Sequence, residues 1–278
     1  MSIPPIIYDI IRWVTSFMML GGVLSGLFMA ALVFVRRIKT NPWVNILFTL
    51  LLAAMSLTLM DKFFNFTSFS RRYPNWTFLP IYLSFSFAPL LFYYVKSRLY
   101  PHFAMHRRDF KHFILPTAQF AILGWVTLQD ATSKAHFKNN FFSPFYGNFE
   151  KGVFIVQFFL YIYFSYRFIL HEKHPLERNM RHQALHDSIE AQKRKNVGQN
   201  SAFRRQVLVV SWLKRMVKVL FILFGIHAFF ILTDYFSFKF FNVNLQTKAL
   251  FSAFYELSFV AMLFWLFLNG FFAWRRGL

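Results

Sequence analysis

Two groups of residues in this 278-residue chain carry side chains suited to chemistry. The first is a set of histidines. His102 and His106 are spaced i, i+4, His171 and His174 are spaced i, i+3, and His182 and His186 are again i, i+4, with His112 nearby. Such spacings put two imidazoles on one helix face, as a shared metal ion requires. The second group lies inside apolar segments. Glu256 and His227 sit at matching depth in the last two of these, and Asp234 closes the earlier one. A charge buried in lipid is costly and normally faces a partner or water. A Glu256–His227 pair is therefore expected, either as a ligand or proton site with Asp234 at its mouth or as a hydrogen bond between helices. Asp61 and Lys62 end another apolar segment. With no cysteine, thiolate metal sites and disulfides are excluded. No nucleophile elbow, phosphate loop or zinc-protease motif is present.

The elements that hold these residues are set by composition. Hydrophobic residues make up 56% of the chain and charged residues only 15%. That is too apolar for a soluble domain. A spanning helix needs about 20 mostly apolar residues. Seven segments qualify: about 10–35, 43–60, 77–95, 110–128, 152–170, 216–235 and 249–274. None alternates polar with apolar as barrel strands do. The expected fold is thus all-α: a polytopic seven-transmembrane-helix bundle forming a single domain over 1–278, with a long loop at 171–205.

The net charge of +20 gives the orientation. Arg36, Arg37, Lys39, Lys96, Arg98, Arg107, Arg108, Lys111, the basic residues of the long loop, Lys214, Arg215, Lys218, Arg275 and Arg276 all fall on one side of the seven spans. The other side has Lys62, Arg71, Arg72, Lys134, Lys138, Lys151, Lys239 and Lys248. The positive-inside rule then places the N-terminus outside and the C-terminus in the cytoplasm. The same basic face is suited to anionic lipid head groups.

Other residues shape the spans. Gly22 and Gly26 form a small-xxx-small pair that permits close helix approach, within the bundle rather than between copies. Pro89 in the third span removes a backbone donor and frees the carbonyl of Phe85, so it is a hinge candidate.

Several stretches resemble the multi-spanning N-terminal sensor region of Bacteroidetes membrane regulators of the AraC type. They are Gly21-Gly22-Val23-Leu24-Ser25-Gly26-Leu27-Phe28, Asn45-Ile46-Leu47, Ala88-Pro89-Leu90-Leu91-Phe92-Tyr93-Tyr94-Val95-Lys96-Ser97, His112-Phe113-Ile114-Leu115-Pro116 and Trp212-Leu213-Lys214-Arg215. Ala88 stands where that family has glycine, and its helix-turn-helix domain has no counterpart here. The resemblance implies a sensor or scaffold module in the bacterial cytoplasmic membrane, without direct nucleic-acid contact, that relays a signal to, or assembles with, a partner protein; no cofactor is expected. The alternative expectation is a lipid-modifying membrane enzyme with a metal held by the cytoplasmic histidines. Membrane oxygenases of that kind use adjacent His-His pairs, which this chain lacks.

Overall fold

The computed structural model describes residues 5–35, 41–100, 102–190 and 197–276, with the side chains of 172–205 outside that description. The described residues are mostly helical, without strands. In order the helices are α1 (Pro5–Val35), α2 (Pro42–Phe66), α3 (Phe69–Arg72), α4 (Phe87–Leu99), α5 (Ile114–Thr127), α6 (Ala131–Phe137), α7 (Gly147–Glu190), α8 (Val197–Phe241) and α9 (Ala249–Arg276). Five of them, α1, α2, α7, α8 and α9, contain stretches long and apolar enough to cross a membrane.

Lipid-facing and buried residues divide cleanly on α1. Trp13, Phe17, Leu24 and Phe28 are exposed, whereas Met19, Val23, Met29 and Val33 are buried against α2 and α9. Because lipid is as apolar as leucine, this contact is held by close packing rather than by burial from water. Gly22 and Gly26 make it possible. A Cβ on Gly22 would lie 2.9 Å from the Leu59 side chain, and one on Gly26 would overlap Ser56 Oγ and press on Leu263. At the far end of the seam Gly270 of α9 meets Phe48 and Met29 in the same way. A phenylalanine ladder holds α7 to α8, with Phe158 and Phe224 ring centroids 4.1 Å apart and Phe154 against Phe224 edge-on.

The expected third span is not one helix. Residues 77–83 are irregular, Ser84–Ser86 form a 3₁₀ turn, and only then does α4 begin. Pro80 lacks the donor a helix needs and biases Leu79 away from helical geometry. Phe78 adopts a left-handed backbone, with φ 60°. The fourth expected span is likewise composite, a 3₁₀ stretch Arg107–Phe113 followed by α5. At 13 and 14 residues, α4 and α5 are each about 20 Å long, short of a bilayer core.

Pro89 falls in the first turn of α4, where its missing donor costs little. It therefore stands at the start of a helix and not within one. The Phe85 carbonyl accepts a hydrogen bond from Gln157 Nε2 at 3.3 Å. At its other end α4 is tied by Asn41, which caps α2 through the Trp43 amide and donates to the carbonyls of Tyr100 and Phe103.

The expected loop at 171–205 is largely helix. At 44 and 45 residues, α7 and α8 are each about 65 Å long, twice the thickness of a bilayer core. They continue beyond the end of the bundle that gathers Lys96, Arg98, Arg107, Arg108, Lys111, Lys214, Arg215 and Lys218, here termed the basic end. The opposite, capped end is covered by α3, α6 and the π-helical turn Lys138–Tyr146.

The glycine seam yields a test. Gly26→Ala lowers thermal stability in detergent by about 1–3 kcal/mol, since Ser56 Oγ is held by the Leu52 carbonyl and has little freedom to withdraw. Gly21→Ala, which meets nothing within 4 Å, leaves the melting curve unchanged or slightly raised.

Candidate functional site

The last turns of α2 and the first turns of α9 bring four polar side chains together at the capped end. Lys62 Nζ lies 3.3 Å from Glu256 Oε2, with both side chains about 10% exposed. The same ammonium sits 4.3 Å from the Tyr255 ring centroid and 5.3 Å from that of Phe259. Carboxylate and ring faces together hold a cation away from water. Asp61, next to Lys62, accepts a hydrogen bond from Asn65 Nδ2 at 3.2 Å.

The expected Glu256–His227 pair does not form. Glu256 goes to Lys62, and His227, 1% exposed, shares a 2.7 Å hydrogen bond between Nδ1 and Ser258 Oγ. Ser258 is two residues past Glu256, about 200° around α9, so the two face opposite neighbours. His227 stacks near Tyr255, ring centroids 5.0 Å apart, which makes it part of the packing behind the ion pair. Asp234 lies 4.0 Å from Lys151 Nζ and accepts from Gln246 Nε2 at 3.4 Å.

Glu150, in the first turn of α7, is only 3% exposed. Gln119 Nε2 donates both to Glu150 Oε1 and to Ser84 Oγ, the latter at 2.8 Å, while its oxygen accepts from the Phe85 amide at 3.2 Å. One glutamine in α5 thereby fixes a carboxylate on α7 and the irregular segment before α4. Thr58 and Thr127 do similar work on that segment. Thr58 Oγ1 accepts from the Leu83 amide at 2.9 Å and donates to the Ile81 carbonyl, and Thr127 Oγ1 donates to the Phe78 carbonyl.

Between these elements lies a cavity of about 450 Å³, within the range for small-molecule sites. Asp61, Lys62, Glu150, Lys151 and Glu256 stand in its wall with Tyr82, Phe142 and Tyr255. Phe78 lines it too, its strained backbone braced by edge-on contacts with Phe137 and Phe142. Outside the spans, Asp130 caps α6 over this end. Hydrogen bonds from Ser133 and Thr132 hold its carboxyl below the usual carboxylate range. A second cavity, of about 480 Å³, lies on the other side of Glu256. Arg12 stands in its wall and donates to the Phe66 carbonyl and Ser68 Oγ.

The described members of the histidine set do not converge. His112 Nδ1 is 2.6 Å from the Tyr161 hydroxyl. His106 lies 4.0 Å from Asp109, whose carboxylate accepts from the Tyr93 hydroxyl and the His106 amide. Among the described residues no group of three His, Cys, Asp or Glu side chains is placed to hold a metal, and that includes His102 and His171. The side chains of His174, His182 and His186 lie outside the described residues.

Lys62 and Asp61 are visible in the sequence as a charged end to the second span, but Glu150, Gln119, Gln157, Thr58 and Thr127 are passed over. Their signal is polarity at membrane depth inside segments otherwise apolar, weak for a threonine but readable for Gln119 and Gln157.

These features define a helical membrane protein with a charged cavity at one end of its bundle. No protein-family model matches the chain, and comparison with curated proteins and with solved structures finds no match either.

Breaking the ion pair is expected to be costly. Lys62→Met or Glu256→Leu alone destabilises the protein by about 3–5 kcal/mol, because the partner is left buried without compensation. The double variant Lys62→Met, Glu256→Leu recovers most of that loss. A double-mutant cycle of thermal unfolding in detergent measures the coupling, and additive losses would show the pair to be energetically idle.

Proposed function

We propose that the protein is a seven-crossing sensor module of a bacterial cytoplasmic membrane, with its N-terminus outside and its C-terminus in the cytoplasm. A small molecule enters the cavity at the outer, capped end, and its presence is passed to a partner protein along α7 and α8. The observation that carries this reading is a sharing of helices. Glu150 and Lys151 of the cavity wall stand in the first turns of α7, and Asp234, the partner of Lys151, stands near the end of α8. Both helices run from there past the basic end. A ligand that moves the cavity wall moves elements that emerge on the other side.

Seven crossings, rather than five, are supported by the way 77–99 and 107–127 lie along the bundle. Thr58 holds the first of these segments near the capped end, and Asn41 holds its far end beside the start of α2. The second runs back from Tyr93 to Phe78, through the Asp109 and Thr127 contacts. The charge distribution supports the orientation and contact with anionic lipids. The resemblance to sensor regions of AraC-type membrane regulators supports the signalling role, with output carried by the partner.

Two measurements test this. The chain has no cysteine, so single introduced thiols report sidedness. In intact cells a membrane-impermeant maleimide is expected to label Ala135→Cys and spare Ala104→Cys. Labelling of both would mean five crossings, and labelling of Ala104→Cys alone would invert the orientation. Spin labels placed on α7 and α8 beyond the basic end test the relay. Ser143→Trp, which sets a bulky ring at the cavity wall, is expected to shift their separation by about 1–2 Å. An unchanged distance distribution would remove the relay.

A further inference from the structure

The charges around the cavity are not all accounted for within the protein. Lys62 is committed to Glu256, and Lys151 leans toward Asp234. Lys138 is exposed at the rim. That leaves Asp61 and Glu150, neither of which has a cationic group within 4 Å among the described residues. Glu150 is the more telling of the two. The residue is 97% buried and its side chain lines the cavity, where its second carboxylate oxygen, without a protein hydrogen bond among the described residues, stays accessible. A buried carboxylate is stable only when its oxygens are satisfied. Phe78, Tyr82, Phe142 and Tyr255 line the same cavity, and aromatic faces attract positive charge.

The same wall already shows how it treats an ammonium group. Lys62 Nζ is held by a carboxylate at 3.3 Å and by the face of Tyr255 at 4.3 Å. Carboxylate and aromatic face together are the donor set that a protonated amine takes. A ligand anion would instead meet the carboxylates of Asp61 and Glu150, neither of them in an ion pair within 4 Å among the described residues, with only Lys138 at the rim as an uncommitted cation.

We infer that the cavity binds a small organic cation, an amine with an apolar body, its ammonium group between Asp61 and Glu150 and its body against Phe78, Tyr82, Phe142 and Tyr255. The inference rests on the outward ligand site proposed above and names the chemistry of what enters it. Phe78, held in a left-handed backbone, sets one aromatic wall, and Gln119 aims the Glu150 carboxylate. Removing either carboxylate's charge should therefore weaken amine binding and leave the Lys62–Glu256 pair in place.

The test uses the full chain in lipid nanodiscs at pH 7 with three probes of like size: benzylamine, benzyl alcohol and benzoate. Thermal unfolding and calorimetric titration are read for each. Benzylamine is expected to stabilise the protein in a saturable way, and the alcohol and the anion to have at most a tenth of its affinity. Glu150→Gln and Asp61→Asn are each expected to weaken benzylamine at least tenfold. Asp61→Asn, at a half-buried position, keeps the test open if Glu150→Gln fails to fold. Preference for benzoate or benzyl alcohol, equal response to all three, no response to any, or benzylamine binding that ignores both substitutions overturns the inference. The sidedness and spin-label measurements do not depend on these probes. A cavity that prefers benzoate would sink the amine and leave the sensor standing, and amine binding without helix movement would do the reverse.

Discussion

Unpaired backbone groups have nowhere to go in hydrocarbon, and this bundle contains a stretch of backbone that is not helical deep among its helices. Each exposed amide or carbonyl there costs several kcal/mol unless something in the protein meets it. The irregular residues 77–86 are met from three directions. Thr58 on α2 takes Ile81 and Leu83, Thr127 on α5 takes Phe78, and Gln119 and Gln157 take the two sides of Phe85. Much else follows from those contacts. They hold α5 against the bundle although it makes few helix–helix contacts of its own. They let α4 begin halfway down the bundle, and they leave room above it for the cavity.

The polar side chains of this protein thus serve two tasks at one level of the bundle. Threonine and glutamine repair the broken backbone, and Asp, Glu and Lys line the space the break creates. Gln119 joins the two sets, since the amide that holds Ser84 also holds Glu150. His227, by contrast, is spent on packing: it binds Ser258 and stacks by Tyr255, fixing α8 to α9 behind the Lys62–Glu256 pair.

The long apolar helices were legible because lipid imposes a simple rule of length and polarity, and α1, α2, α7, α8 and α9 each obey it. The packing role of Gly22 and Gly26 was legible for a similar reason: small residues one turn apart on an apolar helix have few other uses. The third segment was not. Its apolar content matches a span, and hydropathy does not record that Pro80 and a left-handed Phe78 unwind it. Pro89 was visible, but where its helix begins was not. Glu256 was correctly marked as a buried charge in need of a partner. Depth alone favoured His227, but depth does not give the direction a side chain leaves its helix, and that direction chose Lys62. Of the extension of α7 and α8 only the helix formers of residues 184–195, suited to a surface helix, were legible, because polar, charge-rich sequence reads as loop where the rule of hydropathy ends.

The unbroken length of α7 has a mechanical consequence. Glu150 lies within a turn of one end and Glu190 at the other, with about 60 Å of continuous helix between them. A rod of that length is a lever whose fulcrum is the packed middle of the bundle, where the phenylalanines of α7 and α8 interlock. A tilt of about 5° about that fulcrum, near Phe158, would carry the far tip through roughly 4 Å, about the width of a side-chain contact. Displacements at the cavity too small to alter the packing of the core would thus be multiplied at the far end of α7.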